Sequence, residues 1–275
     1  MMQGLPRGIV HPARAERMFR LTRYPPGAVT EAIVQHYWIV VWDLRDRPPF
    51  KQGVLAHPTG NLVFERGCTR IYGPAVALTE RLLQDSGRVV GVKFKPGGFY
   101  PLLRAPVSTI YGRSVAFEQV FGTAAEPLET AVLAQEDERE AVRLVDEFLR
   151  RHLTERQAPV DRNVRLAIAL AALIRDDRSI VKVEDAVRRS GLHKRTLQRL
   201  FDRYVGVSPK GVIQRYRLHE AAERISRGAA DWTDLGLELG YYDVSHFIRD
   251  FKAILGKTPQ EFALEERTRD HAAAE

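Results

Sequence analysis

The amino-acid sequence predicts an α+β protein. An N-terminal β-rich domain, sandwich- or barrel-like and carrying helices, precedes an all-α domain of two helix-turn-helix units joined by one long helix. Three observations carry this. Up to residue 95, β-branched and aromatic runs alternate with Gly, Pro and Asn, as strands and turns do. Beyond it, apolar residues recur at helical spacing. Finally, GLHKRTLQRLFDRYVGVSP, from Gly191 to Pro209, is echoed about fifty residues later by GYYDVSHFIRDFKAILGKTP. The echo pairs Leu197 with Phe247, Arg199 with Arg249, Phe201 with Phe251, Gly206 with Gly256, Ser208 with Thr258 and Pro209 with Pro259. Self-similarity at one offset marks a repeated supersecondary unit.

In chain order, residues 1–31 are broken by Pro6, Pro12, Pro25 and Pro26 and read as an irregular arm. A domain over 32–153 opens with the strand-forming run AIVQHYWIVVW, and further strands are expected at Val54–His57, Asn61–Glu65, Thr69–Tyr72 and Arg88–Lys95. Helical signals follow at Gly98–Leu103, Ser114–Phe121 and Glu136–His152. In the last of these, Ala141, Leu144, Val145, Phe148 and Leu149 form a stripe that either fills a core or pairs two protomers. Residues 154–160, polar and aperiodic, read as the linker. NVRLAIALAALI, at 163–174, falls short of the roughly 18 apolar residues of a membrane span and is expected to be a buried helix.

Each repeat reads as helix, tight turn, helix. Val183, Ala186 and Val187 give the first stripe, Gly191 stops it, and Leu197, Leu200, Phe201 and Tyr204 give the second. In the other copy Leu235, Leu237 and Leu239 lead to Gly240, and Asp243 is placed to cap a helix that buries Phe247 and Phe251. Ser208 and Thr258 each precede a proline suited to the first helical position, and Thr258 with Glu261 fits a capping box. Between the units a helix from Pro209 to about Arg227 carries Val212, Ile213, Tyr216, Ala221, Ala222 and Ile225 and stops at Gly228.

What lies off these stripes is chemistry for a polyanion. Lys194, Arg195, Gln198, Arg199 and Arg203, with Arg188 and Arg189 on the preceding helix, form a basic surface opposed by Asp202. The second helix of such a unit enters a major groove, where Arg and Gln suit guanine and adenine edges and other cations hold phosphates. The second copy offers Ser245, His246, Arg249 and Lys252, with Asp243 and Asp250 offsetting its charge, so the first copy is expected to contribute more affinity.

Gly240-Tyr241, Asp243, Phe247, Arg249, Phe251-Lys252, Gly256, Pro259 and Phe262 resemble the DNA-binding domain of the AraC/XylS family of bacterial transcription regulators, over roughly 161–267. The resemblance implies two recognition helices in successive major-groove segments of double-stranded DNA. It also implies an N-terminal domain, often cupin-like, that senses a small-molecule effector or pairs two copies into a homodimer, with RNA polymerase as a further partner. Two positions depart from the pattern: Gly236 stands where Ala is frequent, and Ala263 where Arg is common. Residues 268–275 lie beyond it and are expected to be a disordered tail.

Tyr37, Trp38, Trp42, Phe64 and Phe94 are the candidates to line an effector pocket, since such sites are mostly apolar and aromatic; filling the core is the competing reading for each. His36, His57 and His11 lack the spacing of a metal site, Gly97-Gly98 beside Lys93 and Lys95 reads as a turn before it reads as an anion cradle, and no cofactor motif or catalytic cluster can be assembled. An enzymatic or protein-sensing N-terminal domain is the alternative to effector control. Cys68, the single cysteine, excludes an intrachain disulfide and is expected to be buried. The net charge of +7 is spread over both halves, so local clustering is the better pointer to DNA. No membrane span or signal peptide is legible, which makes the cytoplasm the expected location.

Overall fold

The computed structural model describes residues 12–55, 57–75, 78–155, 160–228 and 231–271. Among these described residues, eight strands form two antiparallel sheets. Strands β1 (Arg20–Tyr24), β2 (Val34–Leu44), β4 (Asn61–Phe64), β5 (Arg70–Tyr72), β7 (Asp85–Phe94) and β8 (Ser114–Ala116) make a six-stranded sheet in the order β1-β2-β7-β4-β5-β8. The other two, β3 (Phe50–Leu55) and β6 (Leu78–Leu83), pair as a separate ribbon.

Alternation on β2 sorts the side chains. Tyr37 and Ile39 face a core with Val92, Leu62, Phe64 and Phe94, covered by α3 (Phe117–Phe121), α4 (Glu126–Leu133) and α5 (Glu138–Glu155). A bulge between Val34 and His36 brings Val34 onto the same face as Tyr37. Ala141, Val145 and Leu149 of α5 are buried in this core, and Leu144 and Phe148 pack against it. The α5 stripe is therefore core, not an interface between protomers.

The N-terminal arm is a correction. Prolines suggested irregularity, yet α1 (Pro12–Met18) and β1 are regular, because β1 pairs with β2 from Arg20 opposite Val41 to Tyr24 opposite Tyr37. Residues 27–37 are tied to α5 through Asp146, which accepts from the Gly27 amide (3.0 Å), the Tyr37 hydroxyl (2.7 Å) and the Thr30 hydroxyl. Residues 1–11, including His11, lie outside the described residues. β6 was missed because its exposed Thr79, Glu80 and Arg81 read as loop. Cys68 is exposed, not buried.

The helical half comprises α6 (Arg162–Asp176), α7 (Val183–Ser190), α8 (Lys194–Leu200) with a wide π turn over Phe201–Val205, α9 (Pro209–Ser226), α10 (Trp232–Glu238), α11 (Val244–Leu255) and α12 (Pro259–His271). The expected linker is partly helical, as α5 reaches Glu155, while 156–159 lie outside the described residues. The expected tail likewise begins as helix, since α12 reaches His271, and 272–275 lie outside. Joining helix α9 buries Arg215, Leu218 and His219 besides its apolar stripe. Leu218 and Ile225 serve a core with Phe247 and Phe251, while Val212 and Ile213 serve one with Leu197 and Phe201.

The two halves are packed on each other. Leu55 and Leu78 of the ribbon join the α9–α11 core, and His57 stacks on His219 at 4.4 Å. A turn at Val107–Ile110 lies against the π turn, so close that a Cβ on Gly206 would stand 2.8 Å from the Val107 carbonyl.

Gly206 (φ +79°), after the π turn of α8, and Gly256 (φ +78°), after α11, end these two helices in the same left-handed conformation, but a Cβ at 256 meets nothing. Gly256→Ala should cost ~1 kcal/mol of left-handed strain. Gly206→Ala should cost ~1 to 3 kcal/mol more, through overpacking against Val107. Denaturant unfolding of both variants, showing equal losses, would remove the close contact between the halves.

Candidate nucleic-acid interface

Both units are built as their residues dictate. Gly191 (φ +66°) ends α7 and the chain turns at once into α8. Asp243 caps α11 by accepting from the His246 amide at 2.7 Å, and Asp231 caps α10 through the amides of Thr233 and Asp234. Thr258 and Glu261 form the expected capping box: each side chain accepts from the other's amide, at 3.2 and 2.7 Å. Gly236, where a side chain would gain helix propensity, sits where α10 meets α11, and a Cβ there would lie 3.3 Å from Phe247 Cβ. The glycine lets two short helices approach. Leu237, expected inside, is exposed because α10 presents Leu235 and Leu239 to the core.

On α8, Leu197 and Leu200 point inward, while Lys194, Arg195, Gln198 and Arg199 are exposed. On α11, Phe247, Phe251, Ile254 and Leu255 are buried, while Ser245, His246, Arg249 and Lys252 are exposed. The cations differ in what they already hold. Arg195, Gln198, Arg199, Ser245, Arg249 and Lys252 have no side-chain hydrogen bond or ion pair among the described residues. Lys194 is paired with Glu184 at 2.9 Å, Arg189 with Asp177 at 3.2 Å, and Arg188 with Asp185. Arg203 donates from Nε and Nη2 to the Tyr100 hydroxyl at 3.0 and 2.7 Å, with its guanidinium 5.4 Å from the ring centre. Tyr100, on α2 (Tyr100–Leu103) of the N-terminal half, also lies 4.4 Å from the Tyr204 ring.

The expected imbalance between the copies is thereby reduced. Asp243 is spent on its cap, and Asp250 accepts from Gln214 Nε2 at 2.5 Å and lies 3.5 Å from His246 Nε2. Neither carboxylate is bonded to Arg249 or Lys252. Conversely, four of the seven basic or polar candidates of the first copy are held by neighbours on the same chain. Pattern reading could not see Tyr100, which lies 103 residues from its partner. It also passed over Tyr242, 92% exposed in the turn between α10 and α11.

The aromatic candidates do not converge. Tyr37, Phe64 and Phe94 are buried in the inner core, whereas Trp38 and Trp42 lie on the other face of the sheet, across Gly91 and Gly87. Period-two alternation separates neighbours on one strand. Gly97 (φ +92°) and Gly98 are a packed turn, with no room for a Cβ on Gly98 beside the Ile33 carbonyl at 2.3 Å.

Residues 186–265 match a family described as a helix-turn-helix domain, and residues 22–116 match a domain of unknown function, DUF6597. Over 82 residues the chain is 31% identical to YkgA, named as an HTH-type transcriptional regulator, of Escherichia coli K12, covering 30% of this chain and 34% of that one. It is also 31% identical to the HTH-type transcriptional activator AarP of Providencia stuartii, covering 30% of this chain and 62% of that one. The matched segment thus spans about a third to three fifths of these relatives. Among solved structures, ToxT of Vibrio cholerae O395 is similar with 14% identity and a TM-score of 0.37, covering 90% of this chain and 98% of that one. Among the described residues no helix is long and apolar enough to cross a membrane.

Asp185 stays ionised against its burial because it accepts from the amides of Lys182 (2.9 Å) and Val181 (3.0 Å) and faces Arg188. Asp185→Ala should therefore destabilise by ~1 to 2 kcal/mol, and Asp243→Ala, which loses one cap bond, by ~1 kcal/mol. Urea midpoints of the two variants check the order.

Proposed function

We propose, taking residues 186–265 as the paired helix-turn-helix module of an AraC-family regulator, that this chain is a sequence-specific double-stranded DNA-binding transcription regulator whose N-terminal domain answers to a small molecule. The observation that carries the reading is the pair of exposed helices, α8 and α11, each holding polar and cationic side chains without partners, on opposite ends of one joining helix. Arg195, Gln198 and Arg199 read bases from the first, with Ser245, His246 and Arg249 in the second. Lys194, Arg188, Arg189, Arg203 and Lys252 hold phosphates once DNA competes for them. The two helices enter major-groove segments about one turn, ~34 Å, apart. The N-terminal domain is a sensor and not an enzyme, the working place is the cytoplasm beside DNA, and RNA polymerase and a second copy bound at an adjacent half-site complete the assembly.

Selection of bound duplexes from a random pool tests this, since it should return two short conserved blocks at that spacing. A pool that emerges without preference overturns the reading. Arg195→Ala or Arg199→Ala should cost ~1 to 3 kcal/mol on the selected site and relax one or two positions. Lys252→Ala should weaken all sequences alike and lower the salt slope by about 1.

The Tyr100 contact supports control by the N-terminal domain, because it occupies a cation that DNA would otherwise use. Tyr100→Phe removes the acceptor and should raise affinity for random DNA several-fold, with a salt slope steeper by about 1. An unchanged slope means that Arg203 does not reach phosphate.

A further inference from the structure

The turns of the two helix-turn-helix units are built alike up to one residue. In the first, Gly191 (φ +66°) ends α7, Leu192 packs against the core that holds Leu197 and Phe201, and His193 opens α8. In the second, Gly240 takes the same left-handed conformation (φ +78°), Tyr241 is buried with its ring edge-on to Phe247 at 5.3 Å, and Asp243 caps α11. Tyr241 thus closes the second turn as Leu192 closes the first. Tyr242 is left over, one residue more than the first unit needs. Its side chain is 92% exposed and makes no hydrogen bond, ring contact or ion pair among the described residues.

The place of Tyr242 decides what it can meet. It stands immediately before the cap of α11, at the end of the helix that bears the exposed Ser245 and His246. In a helix-turn-helix the second helix meets base edges with its N-terminal residues while the first crosses the sugar-phosphate backbone, so the turn between them lies beside phosphate. The first unit brings two arginines to that place, Arg188 and Arg189 in the last turn of α7. The second brings none, since residues 232–243 contain no Lys or Arg. Asp243, next in the chain, is committed to the His246 amide and cannot donate. A phenol supplies there what guanidinium groups supply in the other unit, a donor for a phosphate oxygen.

We infer that Tyr242 is a DNA-backbone contact of the second unit, its hydroxyl donating to a phosphate that flanks the groove occupied by α11. The inference rests on the DNA-binding function proposed above and adds to it a residue outside both exposed helix faces. It gives the second unit a neutral clamp where the first has cationic ones. The contributions of the two units to affinity therefore respond differently to salt.

Tyr242→Ala, Tyr242→Phe and the parent chain are compared on the selected site and on a random duplex across a salt series, with melting temperature as the check on folding. Because Tyr242 packs on nothing, both variants should melt with the parent; a lower melting temperature assigns the side chain to folding and overturns the inference. Both variants should bind both duplexes about 10-fold more weakly, the loss expected for one hydrogen bond to a charged acceptor, with the salt slope unchanged because a neutral side chain releases no counterion. Parental affinity in Tyr242→Ala overturns the contact. Parental affinity in Tyr242→Phe overturns the bond from hydroxyl to phosphate, and a loss confined to the selected site replaces the backbone contact with a base contact. A parent that binds duplexes without preference removes sequence-specific regulation while the variants' weaker hold on the random duplex still supports the contact. A parent that binds no duplex overturns both.

Discussion

The close approach of the Val107–Ile110 turn to the π turn Phe201–Val205 is the constraint on which the arrangement depends. Only a glycine at 206 permits it, both for its positive φ and for the 2.8 Å that separates an added Cβ from the Val107 carbonyl. Once these turns meet, Tyr100 is carried onto Arg203 and Tyr204, and the β3–β6 ribbon onto the α9–α11 core. The sheet domain thereby touches both helix-turn-helix units. On the function proposed above, a ligand in the sheet domain reaches the helix-turn-helix units only through that packing; allosteric coupling requires differential contacts in the two states, and these contacts are where a difference would be registered.

Within the helical half, economy of charge is the recurring theme. Carboxylates that a sequence count sets against the basic residues are employed elsewhere: Asp243 and Asp231 as caps, Asp185 as a cap and partner of Arg188, Asp250 on Gln214. Arg195, Arg199 and Arg249 are left to solvent. Lys194 and Arg189 are held by ion pairs at exposed positions, where such pairs are worth little, about 0 to 1 kcal/mol each, and the exposed Arg203 is held by the neutral Tyr100 hydroxyl.

The duplicated unit was legible because each of its signals is local. Capping residues act within one turn of helix, a left-handed glycine acts at its own position, and the spacing of Leu197, Leu200 and Phe201 defines a face without reference to any distant residue. The long strands β2 and β7 were legible for the same reason, being rich in β-branched and aromatic residues. Weak strands were not: β1, β6 and β8 owe their conformation to the partner they pair with, and nothing in Arg20–Tyr24 or Ser114–Ala116 alone demands extension.

From the sequence alone come the two helix-turn-helix units, their joining helix, the face that α8 and α11 each offer to solvent, and the β-rich character of the first half, because capping, helical period and β-propensity are properties of short stretches. Tertiary structure decided the rest: that Tyr37, Phe64 and Phe94 are core while Trp38 lies on the opposite face of the sheet, that the α5 stripe is spoken for within one chain, and that Arg203 is held by Tyr100. Each of those outcomes depends on which distant segment arrives to cover a surface, a matter of pairing register and domain packing that no local period encodes.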